Sequence, residues 1–256
     1  MILPPATLGM LGGGQLGRFF VIAAHELGYR VVVLDPDAQS PAGRIADRHL
    51  VAAYDDADAL NVIAESCAAV TTEFENVPAD SLAYLSKFVP VRPGAEAVRI
   101  SQNRSAEKGF LRQHGFHHAA FADIRSEADL DAANAGLFPG ILKVARFGYD
   151  GKGQVRVADR DAARVAFGQL KHEPCVLEQL MPPDYEVSVV LARDAAGRVK
   201  CFPTVENSHR HGILDVSMVP ARTSGCLAGN AEEIAEGIAQ KMDYVGTLAV
   251  EFFVVR

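Results

Sequence analysis

Cysteine is scarce in this sequence, and its four copies, Cys67, Cys175, Cys201 and Cys226, never fall in C-x-x-C spacing. That leaves no metal-binding or redox pair to argue from, and predicts reduced, mostly buried thiols in a cytoplasmic protein. Basic blocks are missing too. With 25 Lys and Arg against 32 Asp and Glu the net charge is −7, so no nucleic-acid groove is expected. No apolar run reaches the ~18 residues of a membrane span, and no charged, apolar, small-residue leader opens the chain. Neither membrane insertion nor export is therefore expected. Internal repeats and low-complexity tracts are also absent. What remains is an ordinary globular composition, 49% hydrophobic and 22% charged. The chain is long enough to bury about 70–75% of its unfolded surface, in one large core or two to three small ones.

The stretch with most chemistry in it is Lys143-Val-Ala-Arg-Phe-Gly-Tyr-Asp-Gly-Lys-Gly-Gln154. The apolar run Phe138 to Leu142 delivers Lys143 on a strand, and Gln154-Val155-Arg156-Val157 resumes one. Between them lie Gly148, Gly151 and Gly153. A glycine-rich, lysine-bearing loop between two strands suits a polyphosphate. Glycine lets backbone N–H groups approach the anion, while Lys143 and Lys152 supply point charge. The loop is not a Walker A motif, because Arg146 stands where its first glycine belongs and Gly153 follows Lys152 in place of Ser or Thr. The plainer reading is a surface hairpin with glycines for turns.

Taken from the start, Thr7 to Leu11 reads as a strand leading into Gly12-Gly13-Gly14-Gln15-Leu16-Gly17. Leu16, Phe19, Phe20, Ala23, Ala24 and Leu27 then recur at helical spacing and trace one apolar face. Gly28 stops the helix, and Tyr29 to Asp35 is a buried, parallel-type strand. Gly12, Gly14 and Gly17 fit a dinucleotide fingerprint, with Asp35 where its ribose-binding acid would fall. The same glycines equally serve a tight turn and close helix–sheet packing. A helix from Ala57 to Cys67 and a strand from Ala68 to Thr72 follow. Glu73 and Glu75 then lie where open α/β sheets hold ligands, and share a face if the strand continues. The alternative is solvated charge at the start of the Pro78 helix.

A boundary is predicted near Pro90 to Gln102. In the helix from Arg104 to His114, Arg104 and Lys108 sit one turn apart, facing either one anion or solvent. Helices over Glu127–Ala135 and Asp161–Leu170 alternate with strands, including Cys175 to Met181. Tyr185–Arg193 and Val199–Pro203 form an alternating hairpin, and Asn230–Met242 an amphipathic helix. In the last strand, Gly246 to Arg256, Glu251 is the only acid in an apolar run. Burial there would be costly unless the acid were paired or on a metal.

The motifs come in a telling order: GGGQLGR, Leu34-Asp35-Pro36, TEFENVP, GYDGKGQ, and Val205-Glu-Asn-x-His209. Together, from about Thr7 to the last residue, they are similar to the 5-(carboxyamino)imidazole ribonucleotide synthase family, the ATP-grasp carboxylases of bacterial and fungal purine synthesis. The resemblance implies an α/β and α+β chain in three parts. These are a Rossmann-like pre-ATP-grasp domain (1–100), a central ATP-grasp subdomain (101–175) and an incomplete C-terminal one (176–256). It implies an ATP- and bicarbonate-dependent ligase that carboxylates 5-aminoimidazole ribonucleotide through carboxyphosphate. The partners would be small molecules, with neither nucleic acid nor membrane, and the protein a homodimer.

The resemblance also carries site residues. Gly14, Gln15 and Glu73, with Tyr149 and Lys152, would contact the ribonucleotide. Arg104, Lys143 and the loop Gly148, Tyr149, Asp150, Gly151, Lys152, Gly153 and Gln154 would hold ATP. Glu178, Gln179, Leu180 and Met181 would border adenine, Glu186 the ribose diol, and His209 a further part of the nucleotide. Lys152, Asp150 and Glu73 would be catalytic, and Glu251 the first Mg2+ carboxylate. Lys152 is often arginine in the family, so bidentate phosphate binding would become single-point binding.

The resemblance breaks off at Arg256, before the family's Asn-Glu pair for the second metal contact and its Arg-x-His-Asn-Ser-Gly-His segment. It therefore implies weak or no catalysis by this polypeptide alone. Alternatives are another ATP-grasp purine ligase, such as the formate-dependent glycinamide ribonucleotide transformylase, a nicotinamide oxidoreductase using Gly12 to Gly17 and Asp35, or a non-catalytic ribonucleotide-binding protein.

Overall fold

The computed structural model describes residues 2–148, 153–210 and 213–255. The chain divides into two units, Met1–Arg99 with Tyr244–Gly246, and Ile100–Asp243 with Thr247–Arg256.

The first unit is built on a parallel sheet. Strands β1 (Thr7–Leu11), β2 (Arg30–Leu34), β3 (Arg48–Leu50) and β4 (Ala69–Thr72) pair in the order β3-β2-β1-β4. Helices α1 (Gln15–Glu26), α2 (Ala57–Ser66), α3 (Ala79–Leu85) and α4 (Ala95–Ser101) accompany it. The run of valines in β2 explains why both sheet faces are covered. Val31 and Val33 pack with Met10, Val21 and Ala24. Val32 and Leu34 take the other face, with Ile63, Leu82 and Leu85.

Two expectations change here. Helix α1 buries Gly17, Val21 and Ala24, whereas Leu16, Phe19 and Leu27 are 65%, 58% and 68% exposed. The reason is Gly17, where an added Cβ would lie 2.7 Å from the Gly12 carbonyl oxygen. That close approach decides which side of the helix meets the sheet and overrides the apolar spacing. Strand β4 stops at Thr72, whose hydroxyl donates to the Phe74 carbonyl at 2.9 Å and turns the chain. Glu73 and Glu75 therefore do not share a strand face, and Glu75 is exposed.

In the second unit β5 (Phe121–Ile124), β6 (Gly140–Val144), β7 (Gln154–Val157) and β8 (Cys175–Gln179) form an antiparallel sheet in the order β5-β8-β6-β7. Around it run α5 (Arg104–Gln113), α6 (Glu127–Ala132) and α7 (Arg160–Gln169). Period-two alternation divides this sheet cleanly. Ile124, Leu142, Val157 and Leu177 pack with Leu130, Ala163 and Phe167 into one core. The residues between them, Lys143 and Glu178 among them, point to the other face.

A second antiparallel sheet holds β9 (Tyr185–Arg193), β10 (Val199–Cys201), β11 (Val205–Arg210) and β12 (Ile213–Met218) in the order β10-β9-β11-β12. Strand β13 (Gly246–Val254) also pairs with β9. Helix α8 (Gly225–Lys241) begins five residues before the predicted Asn230, because the Ser224 hydroxyl accepts the Leu227 N–H and caps it. In β13 exposure alternates, and Glu251 lies on the exposed face. The desolvation penalty expected for a buried acid at Glu251 does not arise.

Candidate active site

In the first unit the ends of β1 and β4 are neighbours, and the sheet order reverses between β2 and β4 about β1. This is the switch point where open α/β sheets bind ligands. Here the chain supplies its own anion. Gly14 caps α1 without a side chain, and Glu73 supplies the missing acceptors. Its Oε2 accepts the Gly14 N–H at 2.6 Å and its Oε1 the Leu16 N–H at 3.0 Å. A carboxylate on the N-terminal N–H groups is favoured by both hydrogen bonding and the helix dipole. Gly12 takes φ +107°, open to few other residues, and an added Cβ at Gly14 would lie 2.5 Å from Glu73 Oε1.

Asp35 is occupied as well. It is buried, and Oδ2 accepts the Gly13 N–H and the Tyr54 hydroxyl, each at 2.7 Å, while Oδ1 accepts the Asp37 N–H at 2.8 Å. Burial and the Asp35 carboxylate push the Tyr54 phenol well above its usual range. The acid offered to a ribose in the dinucleotide reading is thus a brace for the glycine turn, and Glu73 fills the helix terminus a pyrophosphate would need. Gln15 is exposed at the start of α1, beside this cap.

In the second unit the register sets Ile141 opposite Glu178, so Lys143, two residues on, shares its face. The Lys143 ammonium lies 3.1 Å from Glu178 Oε2, and Lys108, reaching from α5, lies 3.2 Å from the same oxygen. All three side chains are largely buried, at 15%, 14% and 9% exposure. Burial alone pushes the Glu178 carboxyl up, but Lys143 and Lys108 outweigh it and hold the group below its usual range. Glu107 is pushed up by burial, against the pull of Lys108 and Arg104. Helix α5 is aimed by Asn103, whose side chain accepts the Ser105 and Ala106 N–H groups. Its first residue, Arg104, donates to the Gly148 carbonyl at 3.4 Å, and the Arg104 N–H to the Ala145 carbonyl at 2.9 Å.

Across the hairpin, Lys143 pairs with Gln154 and the Val144 N–H donates to the Gly153 carbonyl at 2.8 Å. Tyr149, Asp150, Gly151 and Lys152 lie outside the described residues. Past Glu178, the Gln179 and Leu180 N–H groups are taken by the Ala120 and Pro139 carbonyls at 2.9 and 3.0 Å, and Met181 is 39% exposed. In the other sheet the β11–β12 register slips between Ser208 and His209. Just past this bulge His209 Nδ1 meets Glu186 Oε2 at 2.9 Å. Lys108 joins the site through Glu178, a contact that sequence spacing alone does not reveal. Its one-turn spacing from Arg104 was the available signal.

Residues 5–102 match the ribonucleotide synthetase preATP-grasp domain family, and residues 109–256 the ATP-grasp domain family. The fold and site thus define an ATP-grasp protein. Over 256 residues, 99% of this chain and 71% of the relative, the chain is 43% identical to the N5-carboxyaminoimidazole ribonucleotide synthase of Brucella melitensis. It is 37% identical to that of Bacillus subtilis, over 100% of this chain and 68% of the relative. A Staphylococcus aureus N5-carboxyaminoimidazole synthetase solved with ADP superposes with a TM-score of 0.93 at 35% identity, covering 98% of this chain and 67% of that one. An Aspergillus clavatus synthase solved with ADP and 5-aminoimidazole ribonucleotide gives 0.89 at 30%, covering 98% and 66%. The chain belongs to the N5-carboxyaminoimidazole ribonucleotide synthase family.

Proposed function

We propose that this chain uses ATP and bicarbonate to carboxylate the exocyclic amine of 5-aminoimidazole ribonucleotide. The observation that carries the reading is the polar sheet face on which Lys143 and Glu178 meet Lys108, in a chain of this family. Bicarbonate is a poor electrophile. An oxygen of bicarbonate would attack the γ-phosphorus as the bond to ADP breaks, giving carboxyphosphate. Cleavage of that species yields phosphate and CO2, and the amine nitrogen then bonds to the CO2 carbon and loses a proton. Phosphoryl transfer needs charge neutralisation and alignment more than covalent help. Arg104, Lys143 and the loop from Gly148 through Tyr149, Asp150, Gly151 and Lys152 to Gln154 are suited to that. Met181 and the Glu178 edge would border adenine, Glu186 the ribose diol, and His209 a further part of the nucleotide.

Glu73, anchored by Gly14 and Leu16, keeps a further lone pair on each oxygen to hold the amine and accept its proton. Gly14 and Gln15 would border the same ribonucleotide. Glu251 is suited to Mg2+, since an exposed carboxylate with phosphate oxygens makes a hard-oxygen set. The bound ion would neutralise phosphate charge. All four cysteines are free, which supports a cytoplasmic setting, although only Cys67 and Cys175 are buried and the expectation of mostly buried thiols does not hold. Among the described residues no helix is long and apolar enough to cross a membrane. A homodimer is proposed on the family resemblance. Within the second unit we place the subdomain division after β8 instead of at 175/176, because β8 is central to the first sheet.

Titration with 5-aminoimidazole ribonucleotide and with glycinamide ribonucleotide, each in the presence of Mg-ATP, tests the substrate. Saturable binding of the aminoimidazole alone is expected. Preference for the glycinamide would favour the transformylase reading.

A further inference from the structure

In this structure Lys143, to which the nucleotide reading gives a phosphate, is engaged with Glu178. A nucleotide phosphate would compete with Glu178 for this ammonium, and a largely buried carboxylate cannot cheaply be stripped of its last cation. Lys108 resolves the conflict. It sits 3.2 Å from the same oxygen, Oε2, from a different element, α5. Charge counting agrees. Arg104, Lys108 and Lys143 stand against Glu107 and Glu178, so the cluster carries one surplus positive charge to offer an anion.

We propose that Lys108 is a positioning residue of the nucleotide site, retaining Glu178 so that Lys143 is released to the triphosphate. This rests on the nucleotide reading of that site. Without Lys108 the remaining lysine and carboxylate form a closed neutral pair, and Lys143 is held where it is.

The test compares ATP with adenosine by calorimetry, because adenosine lacks the group Lys143 would bind. In Lys108→Met the ratio of ATP to adenosine affinity should fall about tenfold or more. Lys108→Arg, which keeps the charge, should recover most of it. So should Lys108→Met combined with Glu178→Gln, because the neutral amide no longer holds Lys143, a rescue that a purely structural role would not give. If Lys108→Met does not fold, Lys108→Gln is read in the same way. An unchanged ratio, even with both affinities lowered, overturns the proposal and leaves the nucleotide reading standing. Failure of the wild type to bind either ligand overturns both.

Discussion

Glu73 and Gly14, 59 residues apart, are joined by a 2.6 Å hydrogen bond that seats the carboxylate just past β4 on the N-terminus of α1. A glycine turn that would otherwise receive a cofactor phosphate is thereby closed with an internal anion, and the fingerprint glycines become packing residues. Glu73→Ala should lower unfolding stability by about 2 kcal/mol, the range for a charged cap bonded to two N–H groups. Urea denaturation measures this, and a loss under about 0.5 kcal/mol would contradict the capping role.

Tyr54 braces the same turn through Asp35. Because burial and Asp35 hold the phenol neutral, the tyrosinate absorbance difference between wild type and Tyr54→Phe should stay flat to about pH 11, beyond the ordinary tyrosine range. The substitution should also cost about 1.5–3 kcal/mol, as for a hydrogen bond to a charged acceptor. An extra tyrosinate appearing near pH 10 in the wild type would refute it.

Glu178 sets an acid limit on stability. Its folded pKa lies below the ordinary 4.5, so its pairing stabilises fully above that value and is lost as pH falls through the depressed one. Removing both lysines, in Lys108→Met with Lys143→Met, leaves burial to raise the pKa. The slope then reverses, and stability lost at neutral pH, about 3–5 kcal/mol, returns in part on acidification. Each single variant leaves one cation on Oε2, so the two losses should sum to less than that of the double variant. Strict additivity would show that the two lysines do not share the carboxylate.

The Glu186–His209 pair makes a different prediction. If Glu186 accepts the ribose hydroxyls, Glu186→Gln should reduce the preference for ATP over 2′-deoxy-ATP toward unity while leaving the ATP-to-adenosine ratio near that of the wild type. Competition binding separates the two ratios. A 2′-hydroxyl preference that survives the change would move the ribose elsewhere.

Much of this was legible in the residues. The valine run of β2 announced a doubly covered strand, and the alternation of Tyr185–Arg193 gave β9 its bounds. Lys143 and Glu178 share a face because a strand repeats every two residues, but their meeting needed the β6–β8 register, which lies between distant segments. The buried face of α1 departs from the apolar spacing because a close approach at Gly17 outweighs it, a contact with no signature in composition. Glu251 looked buried from its neighbours, yet a strand with one open face exposes every second residue. Lys108 was visible only as one turn from Arg104. Its carboxylate partner comes from β8, 70 residues later.

The most direct test is calorimetric titration of the intact chain with Mg-ATP and, separately, with NADH. Saturable heat is expected with ATP, abolished or strongly weakened in Lys143→Ala, and none with NADH. Saturation by NADH with no response to ATP would contradict the proposed function.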